Sequence, residues 1–494
     1  MDNSRNSYTG ILKAISIFGG VKVFQILISI IRSKIIAVLL GPAGMGISGL
    51  ILSTNDTVKS IVGCGLDTSA VKSISSSKEN VSSTIATLRR LVWITGLLGF
   101  TATFFLSPWL SNIAFGNNDY TLTFRIVSVT LLLGQITVGQ TALLQGTFHY
   151  KDMAKSTFYG SLVGLILTIP LYYVWGIKAI PFVIVVASVL ELRFSLYYSK
   201  KVTFERREMT KDVFKTKSNE MLSLGLSLSV VGIVNALTAY FLKIYISNSG
   251  GVEGVGLSNA AYTIANSYVG MVLTSMGTDY IPRLSAASND IEFIKELINK
   301  QISLLLILVL PLVTVFMLFI KPLMILLYSS KFLPIIGMME WVMIGMVFRT
   351  VSWCISYSFV ARGDAKVFFV NESITAMYSL LFSVIGYHFL GFEGLGMAFA
   401  LSYVLYTIQL TALCRHRIGF RMSKKVIVLL FKSIVCAFVI FFICRLIQNT
   451  IWKYVIGNSV MIVICFIYYK ELSKRMDIKA MLRSIIKKGK DVTK

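Results

Sequence analysis

Eleven lysines and arginines fall inside stretches of sequence apolar enough to cross a bilayer: Lys13, Lys22, Arg32, Lys34, Lys59, Arg125, Arg193, Lys243, Arg349, Lys432 and Arg445. Lys13, Arg193, Lys432 and Arg445 lie within a turn or two of the end of their stretch, from which a long side chain can snorkel to the interface. Lys22, Arg32, Lys59, Lys243 and Arg349 are harder to place in that way. At a lipid-facing helix centre each would cost about 2.5–3.5 kcal/mol, so they should face a wet cavity or a partner inside a bundle. Cations in such a cavity bind anions, and Lys and Arg are the side chains that bind diphosphate. The acids at similar depth are Asp56, Asp67, Glu191, Asp279, Glu340 and Glu372. Of these, Asp56, Asp67 and Asp279 are the carboxylates that coupling to H+ or Na+ would use. Six cysteines without Cys-x-x-Cys spacing and three scattered histidines suggest neither a disulfide framework nor a metal site, and no cofactor is expected.

Helical spacing gathers some of these residues. Lys22, Gln25, Ser29 and Arg32 are spaced three, four and three apart, which confines them to a stripe about 80° wide at 100° per residue. Ser48, Asn55, Asp56, Lys59 and Gly63 form a comparable stripe, and Asn259, Tyr262 and Asn266 another. The plain alternative is that such residues are interhelical hydrogen bonds holding a bundle together. Asp56, beside Lys59 on one face, could simply neutralise it.

The elements that position these side chains must be membrane helices. Of 494 residues, 55% are hydrophobic and 14% charged, against roughly a quarter charged in ordinary globular chains. A span needs about 20 apolar residues, which allows roughly 14 spans joined by short loops. Hydropathy and Gly, Pro and polar breaks place them at 11–40, 45–72, 84–106, 120–146, 154–175, 179–199, 219–247, 255–283, 302–327, 334–361, 366–390, 395–415, 425–447 and 452–470. The first apolar run ends in GPAGMG rather than a small-residue cleavage site, so it reads as a retained span. No large soluble domain and no G-x-x-x-x-G-K-[ST] loop remain to drive a nucleotide-powered pump or house a glycosyltransferase.

Charge sets the orientation. The chain carries 48 Lys+Arg against 23 Asp+Glu, a net of +25. With both termini inside, the inside segments hold 33 of those cations and the outside loops only Lys178, Lys321, Lys331 and Lys453. The positive-inside rule then makes both termini and the loop 200–217 cytoplasmic. Leaflet anchoring accounts for most of the basic excess, and no nucleic-acid partner is implied.

A repeat runs through the spans. GPAGMG at Gly41–Gly46, GGVEGVG at Gly250–Gly256 and LGFEGLG at Leu390–Gly396 share G-x-x-G-x-G, each in an expected outside loop entering the next span. Gly65-Leu66-Asp67 is matched downstream by Gly277-Thr278-Asp279. The simplest account is an all-α integral membrane fold of about 14 helices: two pseudo-symmetric six-helix lobes around a central cationic cavity, plus an appended C-terminal helix pair. The divisions are 1–199, a basic cytoplasmic linker at 200–218, 219–415, the pair at 416–470, and a basic tail at 471–494. In the tail Ile478, Met481, Leu482, Ile485 and Ile486 share one helical side, as in an interfacial amphipathic helix or a docking site for a glycan-assembly partner.

The run KIIAVLLGPAGMGISGL and the segment NAAYTIANSYVGMVLTSMGTDYIPRLSAAS at 259–288 resemble the polysaccharide-transporter branch of the multidrug/oligosaccharidyl-lipid/polysaccharide exporter superfamily. More narrowly they resemble the Wzx flippases of O-antigen and enterobacterial common antigen. The likeness covers the two lobes to about residue 415, with GPAGMG and YIPRLS its most distinctive strings. The commonest members have 12 spans, so 425–470 reads as an addition. The resemblance implies a flippase and not an enzyme. It would move a polyprenyl-diphosphate-linked oligosaccharide from the cytoplasmic to the periplasmic leaflet of a bacterial inner membrane by alternating access, with polysaccharide polymerase and chain-length proteins as neighbours.

Such a headgroup is anionic and hydrated while its tail stays in the bilayer, which suits a wet cationic cavity at a lobe interface. Lys22, Arg32, Lys59 and Lys243 are the expected anion-binding set. Gln135, Asn235, Asn266 and Arg349 are candidates for sugar contacts. Two alternatives are a multidrug or cation antiporter of the same superfamily, which would need membrane-deep acids, and a polysaccharide polymerase or ligase. The longest outside segment, about 107–119, is short for the periplasmic catalytic loop of the latter.

Overall fold

A computed structural model describes residues 24–25, 27–76, 81–202, 210–287 and 290–473. Lys22, and the tail from residue 474 onward, lie outside them. The described regular structure is helical. Helix α1 covers 27–39. It is followed by α2 (Gly41–Val62), α3 (Leu66–Ser76), α4 (Val81–Phe105), α5 (Ser107–Phe115), α6 (Thr121–Gly146), α7 (Tyr150–Trp175) and α8 (Ile180–Ser199). The second half holds α9 (Lys211–Ile264), α10 (Gly270–Ala286), α11 (Ile291–Leu318), α12 (Ile320–Leu327), α13 (Ile336–Ala361), α14 (Ala365–Ile418), α15 (Lys424–Leu446) and α16 (Thr450–Ser473).

Nine stretches of the described residues are long and apolar enough to cross a membrane, and three of them, Tyr150–Ser199, Lys211–Ala286 and Ala365–Ile418, run to 50, 76 and 54 residues. At 1.5 Å per residue each of the three is about twice the ~30 Å hydrocarbon core or more, so each must double back. The turns are glycines of positive φ: Gly176 (55°), Gly251 (72°) and Gly391 (57°). Twelve spans result. Helices α1 and α2, parted by Gly41 at φ 68°, stand where the first two expected spans lie, in a multi-pass membrane protein.

The three copies of G-x-x-G-x-G thus share a physical cause. The first glycine of each copy, Gly41, Gly251 or Gly391, takes the left-handed turn that a side chain would strain. The last glycine lets two backbones touch. A Cβ on Gly46 would strike the Val252 carbonyl, one on Gly256 the Pro42 carbonyl, and one on Gly396 the Met338 carbonyl.

Two expected spans are broken instead. The second ends at Val62, and the chain turns through Gly63, Cys64 and Gly65 before α3; Cys64 and Gly65 have φ of 48° and 62°. The cause is a tertiary contact, since Gly65 lies against the Gly225 carbonyl of α9. The ninth breaks between α11 and α12 at Phe319. The offset pairing Gly65 with Gly277 has no counterpart in backbone shape, because Gly277 lies inside α10 with its open side against Trp353.

The chain folds as two compact units. The first comprises Met1–Ala260, Met324–Leu333 and Glu372–Leu380, and the second the remainder. In the first, Leu66, Ala70 and Ile74 of α3 pack with Ile85, Leu88 and Val92 of α4, Leu143 of α6 and Met221 of α9, fixing the broken second span. In the second, α11 and α13 are heavily enclosed and pack on each other, and α15 and α16 both pack on α11; Gly457 of α16 lies on Leu318.

Candidate functional site

Helix α2 is missing from the nine apolar stretches because its polar stripe interrupts it. That stripe lines a cavity of ≈ 420 Å³ in the first unit. Asp56, Lys59 and Ser60 come from α2, Gly63 from the turn that follows it, Asp67 and Thr68 from α3, Gln135 and Val138 from α6, and Leu228, Ser229, Gly232 and Ile233 from α9. Breaking the second span at Gly63–Gly65 is what turns Asp67 and Thr68 into its wall.

The Lys59 ammonium has room because α6 carries no side chain opposite it. A Cβ on Gly134 would stand 3.8 Å from Nζ. Beside it Gln135 is buried, with Oε1 lacking a hydrogen-bond partner among the described residues, and its Nε2 faces Gly63. One turn earlier Asn55 donates from Nδ2 to Thr130 Oγ1 at 3.0 Å, while its Oδ1 is also unpartnered. From α9, Lys243 donates to the Gly49 carbonyl at 3.4 Å and acts electrostatically on Asp56, as Lys59 does. Arg32 of α1 is half-buried, with no partner for its Nε among the described residues, and it acts on Tyr172 of α7 and Glu191 of α8.

Arg32, Lys59 and Lys243 therefore share one neighbourhood with Asp56 and Glu191. Lys59 acts on both acids. Among the described residues none of the five closes into an ion pair, so Asp56 does not cancel Lys59 by direct contact. Buried donors and acceptors left without partners are costly unless something else meets them. The arrangement suits capture of a hydrated anion. Asp67 lies at the cavity wall, its Oδ1 accepting from the Thr68 N–H at 2.9 Å.

The other expected residues fall elsewhere. Asn235 is exposed on α9 and does not line the cavity. Arg349 and Asn266 meet in the second unit, where Arg349 Nη1 donates to Asn266 Oδ1 at 2.6 Å. Asn266 stands in a π-helical turn, Ala265–Val269, that interrupts the span, a deviation frequent at functional sites. Asp279 forms an i,i+4 ion pair with Arg283 at 3.0 Å, and both are largely exposed. Lys34 is structural: its Nζ donates to the Ile325 and Tyr328 carbonyls at 3.0 and 2.8 Å, capping α12. Glu191 is the residue that spacing did not bring to the site. The signal was there, since it is the sole acid in the run from Ile180 to Ser199, but only the packing of α8 on α7 at Gly160 shows which side it takes.

The lipid III flippase of Escherichia coli K12 is 22% identical over 403 residues, covering 76% of this chain and 90% of that protein, and that of Shigella flexneri matches equally. Among solved structures, the lipid II flippase MurJ in an inward closed conformation superposes with a TM-score of 0.74 at 15% identity, covering 93% of this chain and 99% of that one. An inward-facing multidrug resistance MATE transporter of the MOP superfamily gives 0.70 at 16% identity over 80% of this chain and 94% of its own. The fold is thus that of MOP-superfamily transporters. The MurJ likeness is too extensive to stop at residue 415, so it reaches into the added helix pair. Residues 35–337, which include Lys59, Gln135, Glu191 and Lys243, match the family of polysaccharide biosynthesis proteins, and the chain belongs to that family.

Proposed function

We propose that this protein is a flippase for a polyprenyl-diphosphate-linked oligosaccharide of the O-antigen repeat-unit type, carrying it from the cytoplasmic to the periplasmic leaflet. The observation that carries the reading is the cavity lined by Lys59 and Gln135, with Lys243 and Arg32 joined to Lys59 through their shared action on Asp56 and Glu191, no ion pair closing any of the three cations among the described residues, and the Gln135 and Asn55 oxygens unpartnered there. Ammonium and guanidinium groups supply charge-assisted bonds to phosphate oxygens. Gln135 and Asn55 supply neutral bonds to sugar hydroxyls or to water that travels with them. The family match and the lipid III flippase relatives favour a lipid-linked glycan over a drug, and a cavity lined by Lys59 with two further cations acting on its neighbouring acids is poorly matched to a cationic drug.

In this proposal the two lobes, 1–199 and 219–415, alternate access to the headgroup while the polyprenyl tail stays in lipid. The protein lies in a bacterial inner membrane with both termini and the 200–217 loop cytoplasmic, beside polymerase and chain-length proteins. Asp56 and Glu191 give a means of coupling. Protonating either raises the net positive charge around Lys59, favouring the diphosphate, and deprotonation releases it. Asp67, at the wall, is a further proton or Na+ acceptor.

The test is translocation in proteoliposomes. A fluorescent polyprenyl-diphosphate trisaccharide placed in one leaflet should become accessible in the other with the wild-type chain and not with Lys59→Ala. Equal transfer by both, or transfer no faster than in protein-free vesicles, overturns the proposal.

A further inference from the structure

The second unit holds a cluster that the diphosphate cavity does not use. Arg349, Trp353 and Tyr357 stand at i, i+4 and i+8 on α13, within a stripe of about 80° and rising roughly 6 Å per step. All three are half-buried. The Trp353 and Tyr357 ring centroids are 4.8 Å apart. The Arg349 guanidinium lies 5.6 Å from the Tyr403 ring of α14 while it holds Asn266.

Trp353 is built in. A Cβ on Gly277 of α10 would come 3.1 Å from the indole, so the absence of one lets the ring pack closely on that helix. Tyr280, the tyrosine of YIPRLS, flanks the indole at 5.9 Å and is locked by donating to the Cys354 carbonyl at 2.8 Å. The indole N–H itself makes no hydrogen bond within the described residues, although a Trp N–H enclosed in protein ordinarily finds one.

We propose that this stripe is the glycan-reading face of the protein: Trp353 and Tyr357 stack on the apolar C–H faces of successive pyranose rings, and Arg349, Asn266 and the indole N–H bond their hydroxyls. A flat ring fixed by its neighbours loses little entropy on binding, and a cation beside it reads acidic or hydroxyl-rich sugars. Spacing by one helical turn fits an extended oligosaccharide rather than a single small solute. The inference rests on the flippase reading and adds which residues recognise sugar as distinct from diphosphate.

Two probes separate those roles: a polyprenyl-diphosphate trisaccharide and bare polyprenyl diphosphate, each titrated against the purified full chain in detergent. The wild type should bind the glycosylated probe more tightly than the bare one. Trp353→Leu and Tyr357→Leu should each weaken the glycosylated probe about three- to tenfold, leave the bare probe unchanged, and Trp353→Phe should recover most of the loss. No change with either Leu variant, an equal loss on both probes, or equal wild-type affinity for the two overturns the sugar face alone. Failure of the wild type to bind either probe overturns the flippase reading and this inference with it.

Discussion

Arg445 and Lys59 are both cations carried by apolar helices, and the protein provides for them in opposite ways. Arg445, on α15 of the added pair, reaches Glu340 Oε2 at 3.0 Å and Glu393 Oε1 at 2.5 Å, and its guanidinium lies 4.4 Å from the Phe441 ring. Glu393 also accepts from Trp341 Nε1 at 3.2 Å. The guanidinium and both carboxylates there are paired, and Glu393 belongs to the LGFEGLG turn. Lys59 has space instead, with an acid one turn away, a glycine opposite and unpartnered oxygens beside it. A cation that holds helices together is enclosed by carboxylates, whereas a cation that awaits an anion is kept out of contact with them.

The largest expected effect of breaking this contrast is on stability. Arg445→Ala leaves Glu340, only 6% exposed, without its counter-charge. Breaking a buried pair costs about 3–5 kcal/mol, and the partial exposure of Arg445 brings the expected loss to about 2–3 kcal/mol. A lowered unfolding midpoint should follow, with probe affinity per folded molecule unchanged and partial recovery in Arg445→Ala with Glu340→Gln. Lys59→Ala should do the reverse. Its midpoint should stay within about 0.5 kcal/mol of wild type while affinity for a polyprenyl-diphosphate probe falls about 10- to 150-fold, as expected for loss of a charge-assisted bond worth ~1.5–3 kcal/mol. Lys59→Arg should retain more affinity than Lys59→Gln, since charge is the main requirement.

Smaller effects sharpen the same distinction. Gly251→Ala meets no atom within 4 Å but must hold φ at 72°, a cost of about 1–2 kcal/mol in stability alone. Lys34→Met removes two donors from the end of α12 and should cost about 0.5–1 kcal/mol in thermal unfolding, with translocation preserved.

Lys34 and Lys59 look alike in the sequence, both deep and both on helices with polar company, and this marks how far the sequence can be read. Local physics reached the spans, the glycine turns and the α2 stripe, because periodicity and backbone freedom are properties of short segments. It did not reach the break at Gly63–Gly65, which depends on Gly225 approaching from α9. Nor could it separate Lys34, which ends on carbonyls of α12, from Lys59, which ends over Gly134. Glu191 and Asn235 mark the same limit: one joins the cations through helix packing, and the other is exposed and does not line the cavity.

The central claim is that Arg32, Lys59 and Lys243 form a diphosphate site and are not helix-packing cations. Equilibrium binding of polyprenyl diphosphate to the purified protein, for wild type and for the triple variant Arg32→Gln, Lys59→Gln, Lys243→Gln, tests it most directly when unfolding midpoints are measured on the same samples. The account predicts a loss of more than about 100-fold in affinity with the midpoint close to wild type. Affinity within twofold of wild type in a well-folded triple variant would contradict it.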